Sequence, residues 1–216
     1  MTIRLFLVRH GETAANNQMR YIGSQDEPLT GNGLRQANQV AVALAQFPIK
    51  AVYSSPLCRA ADTAAEINKV CGFEVRPDAR LAEGSFGSWE GLSRSEVMNL
   101  SIQDAELLAR WESDPSFAPP GGESMAEVQE RMLSLIQELE YTLPGAEVVL
   151  VSHVGPIKAA VAAALGIPLQ SSRRLFLDPA TISVVDWGTA PLLRLFNSHA
   201  HLGWSSARWM ADPKPV

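Results

Sequence analysis

Ile3-Arg4-Leu5-Phe6-Leu7-Val8-Arg9-His10-Gly11-Glu12-Thr13 is the stretch on which the fold turns. An apolar run from Ile3 to Val8, interrupted only by Arg4, leads straight into a charged pair and a glycine. Such a run, strand-sized and bounded by polar residues, reads as a buried strand. Working outward, Ala51–Ser54 and Glu147–Ser152 read the same way, and each also ends in a polar segment: Ser54-Ser55-Pro56-Leu57-Cys58-Arg59 and Ser152-His153-Val154-Gly155. Between them lie helical patterns. Thr30–Gln46 places Leu34, Ala37, Val40, Ala41 and Leu44 on one face. Ser55 is expected to cap a helix with Pro56 at its first position, running to about Cys71 and stopped by Gly72. Ser124 and Glu127 form a capping-box pattern before a helix to about Tyr141. Pro156–Leu165 is an alanine-rich helix ended by Gly166 and Pro168. Thr181–Trp187 and Leu192–Phe196 predict a late hairpin, and the tail after about Arg208 is read as loose.

This alternation implies an α/β protein: a three-layer α/β/α sandwich with a mostly parallel sheet, a late antiparallel hairpin and a small helical cap insertion. The expected organisation is a single domain over 1–216, with the cap at about 92–122. In such sheets ligands gather outside the carboxyl ends of the strands, which would bring the three polar segments to one edge.

Composition narrows the function. The chain has 216 residues, 46% of them apolar, and a net charge of −5 without a dense basic block. That argues against general nucleic-acid binding and polybasic membrane anchoring. The longest apolar helix is too short to span a bilayer and contains Lys158. Cys58 and Cys71 suit two reduced thiols, and the expected location is cytoplasmic. A homodimer is expected only because dimers are the commonest assembly. No cofactor and no metal are expected; His199 and His201 read as a satisfied surface pair, because no carboxylate or thiol stands at ligand spacing.

The polar segments carry a chemistry. An imidazole such as His10 can attack phosphorus and form a covalent intermediate. The fork of donors on Arg9 and Arg59 suits phosphate oxygens. His153 opens a helix, where free N–H groups favour an anion. Asn16 can donate an amide N–H. Glu83, in the glycine-rich segment Leu81 to Gly91, is the candidate general acid, with Glu12 and Glu90 ranked below it. Any one of these residues alone is more often structural than catalytic.

Together they form an ordered pattern. Leu7-Val8-Arg9-His10-Gly11-Glu12-Thr13-Ala14-Ala15-Asn16 resembles the Arg-His-Gly signature of the histidine phosphatase superfamily, phosphoglycerate mutase-like branch. Ser54 to Ala64 is similar to its second arginine block, Leu81 to Gly91 to its glutamate loop, and Val151 to Pro156 to its second histidine block. The resemblance implies a phosphorylated His10, phosphoryl oxygens held by Arg9, Arg59 and His153, and Glu83 as proton donor. It also implies that Asn16 and the turn at Gly23 line the phosphate or substrate pocket; Gly155, at the helix N-terminus after His153, is a further candidate for binding phosphate or substrate.

The implied activity is metal-independent hydrolysis of a small phosphorylated metabolite. The alternatives are a phosphoglycerate mutase-type phosphotransferase, a non-catalytic regulatory protein on the same fold, and a phosphatase acting on proteins. Mutases of this family resemble one another in an Arg and a Tyr just after the catalytic glutamate. Here Gly84, Ser85, Phe86 and Gly87 follow Glu83, and Ser93 to Gly122 offers only Arg94 and Arg110 as bases. Those departures favour the phosphatase. The segment Arg20 to Thr30 is similar to its counterpart in alpha-ribazole phosphatases; sugar phosphates, phosphoglycerate derivatives and phosphoserine stay open beside that substrate. Val97, Leu100, Leu107, Leu108 and Trp111 read mainly as the core of the cap, whereas Phe86 and Trp89 face either the substrate or their own loop.

Overall fold

The computed structural model describes residues 2–204, 207 and 208; the tail read as loose lies outside the described residues. The strands are β1 (Ile3–Arg9), β2 (Ile49–Ser54), β3 (Val75–Pro77), β4 (Glu147–Ser152), β5 (Ile182–Trp187) and β6 (Leu192–Ser198), and the helices α1 (Ala14–Gln18), α2 (Gly31–Leu44), α3 (Cys58–Cys71), α4 (Arg94–Leu100), α5 (Ile102–Ser113), α6 (Met125–Thr142) and α7 (Val154–Leu165). One six-stranded sheet runs in the order β3-β2-β4-β1-β5-β6. The pairs β2–β3, β2–β4 and β1–β4 are parallel, and β5 and β6 form the antiparallel edge.

Strand β1 shows why the sheet is covered on both sides. Its side chains alternate between faces. Ile3, Leu5 and Leu7 join a core with Met132, Leu135 and Ile136 of α6 and Ile157 and Val161 of α7. Phe6 and Val8 join a second core with Val40, Ala41 and Leu44 of α2 and Ala60, Ala64 and Ile67 of α3. Each large side chain so buried contributes about 1.5–3 kcal/mol. Arg4 is accommodated at the strand's start, where Asp186 on β5 and Glu147 on β4 stand beside it at 2.7 and 3.4 Å.

Local signals set most boundaries. Thr30 caps α2, Ser124 and Glu127 close a capping box on α6, and Gly72 and Gly166 end α3 and α7 with φ of +72° and +62°. Leu34 differs from expectation: it is 44% exposed, because the buried stripe of α2 runs through Ala37, Val40, Ala41 and Leu44. The start of α3 also differs. Ser55 does not cap it; the helix begins at Cys58 after Leu57, and the Ser55 side chain is committed to the functional site.

Helices α4 and α5 fall in the segment expected to form a cap. Val97, Leu108 and Trp111 pack with the fully buried Trp89 in a third cluster, flanked by Tyr21, Phe86 and Phe117. Leu100 is 54% exposed and takes no part in it.

Candidate active site

Parallel pairing places the ends of β1, β2 and β4 side by side. Arg9 pairs with Ser152, and Ser54 with Val151, so His10, Ser55 and His153 emerge at one edge. The rings of His10 and His153 lie 5.0 Å apart between centroids. Both are buried.

His10 is oriented by its own loop. Its Nδ1 lies 2.7 Å from the Gly11 carbonyl. A carbonyl only accepts, so Nδ1 carries the proton and Nε2 keeps its lone pair. Gly11 is fixed in turn: its N–H donates to Thr63 Oγ1 at 3.0 Å, and the Thr63 hydroxyl donates to the Arg59 carbonyl at 2.8 Å. Burial, followed by the charges of Arg9 and Arg59, holds the His10 pKa well below the ordinary imidazole value. The ring is therefore neutral near pH 7.

Ser55 explains the state of His153. Its Oγ accepts the Leu57 N–H at 3.2 Å and lies 2.8 Å from His153 Nε2. With the hydroxyl donating to Nε2, Nδ1 is the protonated nitrogen of a neutral His153. That Nδ1 is buried and has no protein partner. Burial, His10 and the two arginines hold this pKa low as well.

The arginines are held by main-chain carbonyls. Arg9 Nη1 donates to Leu177 O at 2.7 Å, while its buried Nε has no protein partner. Burial and Arg208 lower its pKa to about 10, which still leaves it charged at neutral pH. Arg59 donates to Gly23 O at 2.7 Å and Gln25 O at 2.8 Å. Gly23 adopts φ +55°, and a Cβ there would collide with Glu90 and Phe86, so the loop that aims Arg59 needs glycine. Asn16 accepts the Thr13 N–H through Oδ1, and this leaves its Nδ2 hydrogens for the cavity it lines.

Glu83 sits at the start of α7. Its Oε1 accepts the N–H groups of Gly84 at 3.0 Å and Gly155 at 3.1 Å. The anion at this helix N-terminus is thus the protein's own carboxylate. Gly155, expected at the phosphate or substrate, lines the cavity, and its N–H orients Glu83; a Cβ on Gly155 would strike that carboxylate. The rival acids are engaged elsewhere. Glu12 accepts from Thr30 and Asn32, and Glu90 from Ser24, Ser85 and Phe86, and neither lines the cavity.

Arg9, His10, Asn16, Gly23, Arg59, Glu83 and Gly155 line one cavity of about 290 Å³, with His153 buried behind it. Tyr21, Phe86 and Trp111 form its aromatic side. Tyr21 and Phe86 stack at 4.8 Å, and Trp111 meets both edge-on. Trp89, by contrast, packs beneath them and does not line the cavity.

Two cations escaped the sequence reading, Lys158 on α7 and Arg173 after it; both line the cavity. The only available signal was Lys158 itself, the single charge in an otherwise apolar helix. His199 corrects an expectation. It is buried rather than on the surface, with Nε2 2.8 Å from Asp178 Oδ2, and Asp178 acts through space on Arg9. His201 binds the Ala180 carbonyl. Among the described residues no group of three or more His, Cys, Asp or Glu could hold a metal ion, and no helix is long and apolar enough to cross a membrane.

The family model of the histidine phosphatase superfamily (branch 1) matches residues 5–197. Phosphoserine phosphatase 1 of Hydrogenobacter thermophilus is 35% identical over 85% of this chain and 86% of its own. A protein of Cronobacter sakazakii bearing a phosphoglycerate mutase name is 37% identical over 88% of both chains. The structure of mycobacterial glucosyl-3-phosphoglycerate phosphatase superposes with a TM-score of 0.80 at 31% identity, covering 92% of this chain and 100% of that one. The chain spans only 55% of the length of the mycobacterial curated relatives to which it is 39% identical.

Proposed function

Because the chain belongs to the histidine phosphatase superfamily, we propose that it hydrolyses a small phosphomonoester through a phosphohistidine on His10. One observation carries the reading: Gly11 fixes the proton on Nδ1 of a neutral His10 whose loop lines a cavity bordered by Arg9 and Arg59. In the first step the Nε2 lone pair forms an N–P bond. The ester P–O bond breaks, its electron pair stays on the departing oxygen, and Glu83 supplies the proton. In the second step a water gives a proton to Glu83 and attacks phosphorus, and the N–P pair returns to Nε2. Arg9, Arg59, the Asn16 amide and the Nδ1–H of His153 stabilise the equatorial oxygens, which is most of what phosphoryl transfer requires of a protein. Gly23 aims Arg59 and Gly155 aims Glu83. Residues 92–122 act as a cap on one domain and close the leaving-group side.

The test is a phosphomonoester panel read as free phosphate, run beside a 3-phosphoglycerate to 2-phosphoglycerate assay. Phosphate release with an acid-labile phosphoenzyme supports the reading. Efficient isomerisation with little release would replace it with the mutase. The free cysteines Cys58 and Cys71 support a reducing, cytoplasmic setting. The partner is a small phosphorylated metabolite rather than nucleic acid, and light scattering tests the homodimer.

A further inference from the structure

Lys158 is the polar exception in α7. Its ammonium makes no hydrogen bond or ion pair with a described residue, and the charges acting on it through space are Arg9, Glu83 and Arg173. Arg173 lies across the Trp111 ring, 3.9 Å from its centroid, and donates from Nη2 to Trp111 O at 2.6 Å. Its remaining N–H groups have no partner among the described residues. These cations therefore come from two separate elements to the same cavity.

The charge balance there is uneven. Of the charged lining residues, Arg20 is paired with Glu96, and Glu123 with Arg131. That leaves Arg9, Arg59, Lys158 and Arg173 against Glu83 among the described residues. A phosphomonoester dianion answers Arg9 and Arg59. When Glu83 carries its proton as the acid, no lining residue answers Lys158, and Arg173 is reached only through space by Glu112, which is itself paired with Arg94. Uncompensated cations held out of water are costly, so a ligand that meets them gains affinity.

We infer that Lys158 and Arg173 form a second anion subsite for a carboxylate on the alcohol part of the substrate, which is then a small phosphorylated hydroxy or amino acid. A carboxylate fits better than a second phosphate. One ammonium and one guanidinium already partly committed to Trp111 match a single charge, whereas the phosphate end of the site uses two arginines, an amide and a histidine. The cavity of about 290 Å³ also lies at the small end for ligand pockets, about 300–1,000 Å³. This inference rests on the phosphatase reading and assigns the leaving-group half of the same site.

The experiment compares kcat/KM on 3-phosphoglycerate and on glycerol phosphate, which replaces the carboxylate by a neutral alcohol. A sugar bisphosphate supplies a second phosphate without a carboxylate, and p-nitrophenyl phosphate supplies neither. The expected wild-type preference for 3-phosphoglycerate over glycerol phosphate collapses toward one in Lys158→Met, a relative loss of roughly 10- to 150-fold for a charged hydrogen-bonding partner. Lys158→Arg retains the preference. A ratio unchanged in Lys158→Met, or a loss concentrated on the bisphosphate, overturns the inference. Circular dichroism melting confirms that each variant is folded when the ratio is read. No phosphate release by wild-type enzyme from any ester, p-nitrophenyl phosphate included, instead defeats the phosphatase reading itself.

Discussion

At the floor of the cavity, Arg9, His10 and Arg59 each meet a main-chain carbonyl, those of Leu177, Gly11 and Gly23, all at 2.7 Å. At the rim, Tyr21, Phe86 and Trp111 are held by one another and by the packing of α4 and α5. A buried side chain that meets a main-chain carbonyl can shift only if the backbone carrying that carbonyl shifts as well, so the floor is preorganised for one geometry. Aromatic contacts have broader minima, and a rim built of them can be reshaped while the floor stays as it is. The floor therefore suits chemistry, and the rim suits selection among leaving groups.

The contrast can be broken from the floor side with the largest effect. His10→Ala is expected to lower kcat by about 10⁴- to 10⁶-fold, as loss of a nucleophile does, and to abolish the acid-labile phosphoenzyme. Labelling that persists in this variant would remove His10 from the reaction. Glu83→Gln is expected to cost roughly 10²- to 10⁴-fold on alkyl phosphates. The loss should be smaller on p-nitrophenyl phosphate, whose leaving group needs no proton; equal losses on both would show that Glu83 is not the acid.

The rim responds differently. Trp111→Ala removes the partner of Tyr21, Phe86 and Arg173 and is expected to cost about 3 kcal/mol or more of stability, as loss of a packed aromatic does. Thermal or urea unfolding measures this. A variant that unfolds like wild type would mean that the rim is not held by its aromatic contacts.

Acid sharpens the comparison, because the burial that prepares the floor also makes it sensitive to pH. His10 and His153 are kept neutral in the fold, chiefly by burial and then by neighbouring positive groups, while in the unfolded chain they titrate near 6.5. Below pH 6.5 the unfolded chain takes up protons that the folded chain refuses. Their stabilisation is complete above pH 6.5 and declines as pH falls toward the low folded values, by up to about 1.4 kcal/mol per pH unit for each histidine. Urea midpoints at pH 6.5 and 5.5 measure the slope, which should be shallower in His153→Gln.

The smallest effect belongs to a supporting residue. Ser55→Ala removes the hydrogen-bond partner of His153 Nε2 and is expected to cost about 1 kcal/mol in transition-state stabilisation, roughly a fivefold loss in kcat/KM. Ser55→Thr keeps a hydroxyl and should restore most of the rate. If it does not, Ser55 matters through packing and not through the tautomer of His153.

Much of this architecture can be read in the chain. The run before Arg9, the capping box of Ser124 and Glu127, and Gly72 and Gly166 after their helices each act over a few neighbouring residues. Local chemistry of that kind is written in local sequence. The three-residue strand β3 and the five-residue helix α1 carry too little periodic pattern to stand out. Leu34 was misjudged because a helix can be apolar beyond the stripe that its sheet covers.

At the site the same division holds. Arg9, His10, Arg59, His153 and Glu83 lie in short blocks at strand ends or in one loop, and a contiguous block survives as a pattern. Lys158 and Arg173 do not. Each is an ordinary basic residue until α7 and the segment after it turn both toward one cavity. Ser55, which looks like a helix cap, becomes the partner of a histidine 98 positions away. By itself, then, the sequence determined the longer strands and helices and the blocks that hold Arg9, His10, Arg59, Glu83 and His153, because periodicity and caps act between neighbours. Only the tertiary structure decided which nitrogen of His10 carries its proton, where Gly155 and His199 are engaged, and which distant charges line the cavity, because those depend on contacts that exist only once the sheet is assembled.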